Sequence, residues 1–135
     1  MYLTNFVERT VDMLQGSEAF EDIAVLPAYP LVKKPTKLPD TVITVSPLTI
    51  DANSISLGEC VLAGKMSVRI DAFVPYEKGS PVTLDIIEKA IGVMLDLHPN
   101  ALKVSEIKAI DELNCFNCSC DITVNSYIGT GEGDE

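Results

Sequence analysis

Cys115-Phe116-Asn117-Cys118-Ser119-Cys120 is the run with the densest chemistry in this chain of 135 residues. A C-x-x-C pair is half of a zinc knuckle or the two halves of a redox couple. Zinc needs four donors converging on one point, and besides carboxylates only Cys60 and His98 remain to supply them. The alternation of the flanking sequence puts Cys118 and Cys120 on the apolar side of a strand and points Cys115 away from it. Thiols on such a face pack as small hydrophobes, so core packing is the expected role. His98 is the single histidine and stands between a helical stretch and Pro99, which suits a contact with a helix C-terminal dipole. No Ser-His-Asp order and no G-x-S-x-G elbow can be recognised. Glu21-Asp22 and Asp111-Glu112 fall in polar turn sequence, where solvated charge is the default. Gly129-x-Gly131-x-Gly133 lacks the following helix that a phosphate cradle needs. The expectation is a protein with no catalytic, cofactor-binding or metal-ligating residue, and not an enzyme.

Charge supplies the other candidate. Ten Lys and Arg against twenty Asp and Glu give a formal charge of −10 and a pI of about 4.4. A protein that coats nucleic acid needs phosphate-neutralising bases on one face, so this balance argues against such binding through charge alone. Lys33, Lys34 and Lys37 depart from it, gathered in a stretch punctuated by Pro27, Pro30, Pro35 and Pro39. Prolines remove backbone donors and fix φ, so residues 27–39 read as an extended loop or arm. The three lysines are either a solvated loop or a docking site for an acidic neighbour, another copy of this acidic chain included.

The elements that must position these groups follow from hydrophobic period. Leu3, Phe6, Val7, Thr10, Val11 and Leu14 recur at helical spacing, and Gly16 is placed to end that helix in a left-handed conformation. Residues 23–26 form a short strand candidate, and Val42–Val45 a second. Asp51–Ser54 reads as a turn, with Ile55 and Leu57 able to begin another extended piece. From 60 to 74 the chain alternates: Cys60, Leu62, Met66, Val68, Ile70, Ala72 and Val74 on one face, Lys65, Ser67, Arg69 and Asp71 on the other. Ser80 is the expected N-cap, with Pro81 behind it, of a helix over 82–97 whose stripe is Ile87, Ala90, Ile91, Met94 and Leu95. Residues 103–111 suit helix or irregular strand. After a turn at Asp111–Asn114, the face Phe116, Cys118, Cys120, Ile122, Val124, Ile128 alternates with Asn117, Ser119, Asp121, Thr123, Asn125. Two amphipathic helices and this sheet make a two-layer α+β sandwich, mostly antiparallel, with both helices on one face. It forms one domain over 1–128, and 129–135 is an acidic, glycine-rich tail expected to be disordered. Glu8 and Arg9 interrupt any signal-like apolar run and nothing approaches the ~18 residues of a span, so the expected protein is soluble, intracellular and reduced at its thiols.

In this order the elements resemble the tail-terminator, or tail-completion, proteins of long-tailed bacteriophages and prophages. The residues that carry the resemblance are Leu26-Pro27-Ala28-Tyr29-Pro30, then Lys65-Met66-Ser67-Val68-Arg69-Ile70-Asp71-Ala72-Phe73-Val74-Pro75, the helix from Leu84 to Leu97, and Cys120-Asp121-Ile122-Thr123-Val124. The resemblance implies a sheet with two helices on one face and a structural role without catalysis. It implies a homo-oligomeric ring, usually of six, that caps the completed tail tube and offers a head-joining surface. The implied partners are further copies of the chain, the tube protein and a head–tail connector protein, with no membrane and no sequence-specific nucleic acid. The implied places are the host cytoplasm during assembly and then the virion tail. The arm 27–39, with Lys33, Lys34 and Lys37, or the loop 51–58 would mediate subunit or tube contacts. Another head–tail connector or neck protein would share the fold, and a small-molecule-binding α+β domain is the alternative of a different class.

Overall fold

The computed structural model describes residues 2–28, 40–54 and 61–129. Helix α1 (Tyr2–Gln15) turns Phe6, Val7, Val11 and Leu14 inward, and Thr10 joins them because its hydroxyl donates to the Phe6 carbonyl at 2.9 Å. The helix does not end on a left-handed glycine. Gly16 keeps a negative φ and its N–H still donates to the Asp12 carbonyl at 3.0 Å. Ser17 makes the exit instead, its hydroxyl accepting from Ala19 N–H at 3.3 Å to cap a 3-10 turn (Glu18–Phe20) that buries Phe20.

Six strands follow: β1 (Ala24–Pro27), β2 (Val42–Ser54), β3 (Val61–Pro75), β4 (Ala101–Val104), β5 (Lys108–Ile110) and β6 (Cys115–Gly129). They form one mixed sheet in the order β1-β2-β3-β6-β4, with β5 also on β6. Only β1 and β2 run parallel; the other pairs are antiparallel. Helix α2 (Ser80–Met94) links β3 to β4, which lie parallel to each other on either side of β6. Val25, Ile43, Val45, Val68, Ile70, Ala72, Val74, Cys118, Cys120 and Ile122 bury one sheet face against both helices. The architecture is the two-layer α+β sandwich with a mostly antiparallel sheet.

Several local expectations are corrected. Asp51–Ser54 is strand, not turn, because β3 offers it a partner residue by residue from Asp51↔Lys65 to Ser54↔Leu62. Turn preference is worth at most ~1 kcal/mol per residue and yields to a completed ladder. The register shifts once, between Pro47 and Thr49, where proline has no N–H to give. The cap of α2 is Gly79, at φ 89, and Ser80 is already helical. The buried face of α2 is Thr83, Ile86, Ile87, Ala90 and Met94, while Leu95, placed in the stripe by spacing, is 54% exposed. The α-helix stops at Met94 and a 3-10 turn (Leu95–Leu97) changes the angular step, which swings Leu95 outward. Residues 103–111 hold the end of β4, all of β5 and the start of a 3-10 turn (Asp111–Leu113) that closes on left-handed Asn114. Among the described residues no helix is long and apolar enough to cross a membrane. The arm's 29–39, loop residues 55–58, Cys60 and tail residues 130–135 lie outside the described residues, as do the side chains of Leu3 and Ile128.

Ile70 is fully buried at the sheet centre, between its register partners Val45 and Cys120. Ile70→Ala should therefore cost about 2–5 kcal/mol in urea unfolding, the range for a cavity in a rigid core. A cost below ~1 kcal/mol would mean that this centre is not packed as described.

Candidate functional site

The cysteine cluster is dispersed by the sheet. Cys118 and Cys120 are fully buried within the core, and Cys118 donates its S–H to the Ser105 carbonyl at 3.4 Å. Cys115 is also fully buried, which spacing had not indicated; it lies outside the main core cluster, opposite Pro75 in the β3–β6 ladder. Burial pushes all three thiols up, Cys120 to about 11. A thiol held protonated is a poor nucleophile and a poor metal ligand. Among the described residues no three His, Cys, Asp or Glu side chains gather to hold a metal ion.

The other sequence candidates are placed as follows. His98 is exposed, at φ 51, and its N–H closes the turn onto the Leu95 carbonyl at 3.0 Å. Glu21, Asp22, Asp111 and Glu112 are exposed. Asp111 accepts the Tyr76 O–H at 2.5 Å, and this hydrogen bond, helped by burial, pushes the phenol up to about 12. Gly129 ends β6. Lys33, Lys34 and Lys37 lie outside the described residues.

What the structure assembles is the sheet face opposite the helices. Residues that spacing had put on two separate polar faces meet rung by rung across β3 and β6. Ser67 and Thr123 share a hydrogen bond of 2.8 Å. Arg69 donates twice to Asp121, at 2.7 and 3.1 Å. Ser119 donates its O–H to Asp71, and Asn117 donates to Asp71 and to the Ala72 carbonyl, both at 3.2 Å. The Ser119 N–H is taken by the Ser105 hydroxyl at 3.0 Å, from the bend between β4 and β5. Among the described residues no buried side-chain N or O lacks a partner. The Arg69–Asp121 pair is half exposed and contributes at most ~1 kcal/mol, whereas Asp71 is shared by two donors and its loss costs more. The face is polar, and its rungs from Ser67–Thr123 to Asp71–Ser119 bond to one another. Among its described residues no nucleophile–base pair is assembled, and a rung already bonded across the strands has little to gain from a ligand.

The sheet's two ends differ. At the β1 end, the Ala28 N–H donates to the Val45 carbonyl at 2.9 Å, so alternate residues Ala24 and Leu26 also face β2 and Val25 and Pro27 face outward. Gln15 covers the outward Val25 carbonyl at 2.9 Å, and Pro27 has no N–H. At the β4 end, Ser105 N–H donates to the Ser119 carbonyl at 2.9 Å, which leaves the N–H and C=O of Leu102 and Val104 turned away from β6. Their side chains are each 38% exposed. One edge is blunted, and along the other no described strand pairs with β4 on the side away from β6.

No family model matches the chain, and no curated protein matches it.

In a Cys60→Ser background the three remaining thiols should resist iodoacetamide at pH 8 in the folded protein and react fully in denaturant. A thiol labelled in native buffer at the rate of a free cysteine would contradict their burial.

Proposed function

We propose that the chain is a structural subunit of a long-tailed phage or prophage virion, of the tail-terminator kind. It acts by assembly and not by catalysis. Copies join into a ring, six being the number that the resemblance implies, which caps the tail tube, stops its growth and presents a surface for head joining. The partners are other copies, the tube protein and a connector protein, first in the host cytoplasm and then in the virion tail.

One observation carries this reading: among the described residues the polar rungs of β3 and β6 bond to one another, while the backbone of Leu102 and Val104 is turned outward and apolar side chains stand exposed at both sheet ends. Leu26 at one end is 49% exposed, and Leu102 and Val104 at the other are 38% exposed. A chain with saturated chemistry and unsaturated edges is suited to bind its own kind. The two-layer fold with both helices on one face agrees with the fold that the resemblance implies. Lys33, Lys34 and Lys37 add a basic segment to a subunit of charge −10, so neighbouring copies have an electrostatic reason to engage it.

Light scattering with negative-stain imaging of the purified full chain tests the reading. The expected result is a particle several times the 14.6 kDa monomer with a central opening. Charge reversal of Lys33, Lys34 and Lys37 together should weaken it and leave the circular dichroism of the monomer unchanged. A protein that stays monomeric at every concentration would contradict the reading.

A further inference from the structure

Lys103 and Lys108 flank the sheet end whose backbone turns outward. Both are exposed and stand on the face opposite the helices, as do their register partners Asp121 and Asn117. Neither makes an ion pair with a described residue, and the one carboxylate between them is that of Glu106. Leu102 and Val104 stand on the helix side, opposite buried Ile122 and Cys120, yet are exposed because α2 packs over β3 and β6. The outward N–H and C=O of these two residues are a template for one more strand.

No other segment of the same chain reaches that template. Both flanks of β4 are described, and neither doubles back on it. Residues 29–39 leave the sheet at β1 and re-enter at β2, on its other side. To pass outside Leu102 and return they would need a path of ~50 Å, against ~40 Å of fully extended chain. Residues 55–60 join β2 to β3 where Val61 pairs with Gly129, and residues 130–135 start at that same end. Leu102 lies opposite Ile122, seven residues back along β6 from Gly129, or ~23 Å. Six residues span ~20 Å when fully extended, before the reversal and the sidestep of two strand spacings that the path demands.

A neighbouring copy has no such limit, and charge chooses among its segments. Residues 29–39 hold three lysines and no carboxylate, and a β4–β4 pair would set Lys103 and Lys108 near their own copies. Residues 130–135 hold Glu132, Asp134 and Glu135 and no base. Their order is that of a one-sided strand, since Gly129, Gly131 and Gly133 alternate with Thr130, Glu132 and Asp134. In an extended conformation Glu132 and Asp134 share one face, and the other face carries no side chain.

Resting on the ring reading above, we propose that residues 130–135 of each copy add as a strand to the β4 edge of the next. The backbone of Gly131 and Gly133 bonds to Leu102 and Val104. The alternation then sets Glu132 and Asp134 on the face of Lys103 and Lys108, and the glycines on the side of Leu102 and Val104. Ordering glycine costs more entropy than ordering any other residue, so one such contact is weak. It accumulates where each copy gives one strand and receives one in a closed ring.

The experiment is sedimentation of the full chain beside four variants: truncation after Gly129, Lys103→Glu/Lys108→Glu, Glu132→Lys/Asp134→Lys/Glu135→Lys, and the chain that carries all five substitutions. The first three should each raise the assembly midpoint concentration ~tenfold or more with an unchanged monomer circular dichroism, and the fivefold variant should return it toward the parent. A synthetic peptide of residues 129–135, added to the truncated chain, should slow amide exchange at Leu102 and Val104; the same peptide with its three acids replaced by lysine should not. A parent ring that truncation leaves unchanged, or a truncated ring that still protects Leu102 and Val104, overturns this contact and leaves the ring reading standing. A monomeric parent overturns both.

Discussion

The pairing of β3 with β6 is the constraint on which the rest depends. It runs unbroken from Val61↔Gly129 to Pro75↔Cys115; β2, β4 and β5 each pair with one of its two strands, and β1 joins through β2. In a strand pair a slip of one residue turns each side chain to the wrong face, so it would bury Arg69 and Asp121 and expose Ile70 and Cys120. A slip of two keeps the faces and would be tolerated by the aliphatic side. The polar side forbids it, because Arg69 would then stand opposite Ser119 or Thr123 and lose its carboxylate. The core fixes which face is which, and the ladder Ser67–Thr123, Arg69–Asp121, Asp71–Ser119 fixes the rung.

That division explains what was legible in the sequence. Alternation over 60–74 and 116–128 identified both central strands and their faces, since a long half-buried strand leaves a strong signal of period two. Both helices were legible for the corresponding reason at period 3.6. The pairing of the two polar faces was not, although the complementary order Ser-x-Arg-x-Asp and Ser-x-Asp-x-Thr is visible once the register is known. The face of α2 was misplaced at Leu95 because Val82, Leu84, Ile86, Ile87, Ile91 and Val93 surround the helix with apolar groups, and several stripes fit equally. Asp51–Ser54, β4 and β5 were missed or ambiguous because their conformation comes from a partner strand rather than from their own residues. Cys115 shows the limit of alternation: a position off the core face can still be covered, here opposite Pro75 at the end of the β3–β6 ladder.

The functional reading comes from where satisfaction stops. The helix side is packed, the opposite face bonds to itself, and burial quenches the thiols by disfavouring their charged form. Among the described residues, outward-facing backbone groups stand at Leu102 and Val104, while Val25 at the other end is buried and its carbonyl is held by Gln15. The overall charge of −10 then acquires a distribution. Acids gather before β1, lysines along β4 and β5, and a further lysine group lies between β1 and β2 in sequence. In the assembly proposed above, an acidic subunit would repel its copies in bulk and be drawn to them through these local exceptions, which favours one orientation over collapse.

Residue-resolved amide exchange at low and high protein concentration tests most directly the claim that the centre is saturated and the edges are not. In the dilute protein, amides of Val68–Val74 and Cys118–Ile122 should exchange only through global unfolding. Lys103, facing β6, should be protected, and Leu102 and Val104, facing outward, should exchange freely. At high concentration the new protection should appear at Leu102 and Val104. Assembly without added protection at these two positions, or central amides that exchange as fast as the edge, would contradict the account.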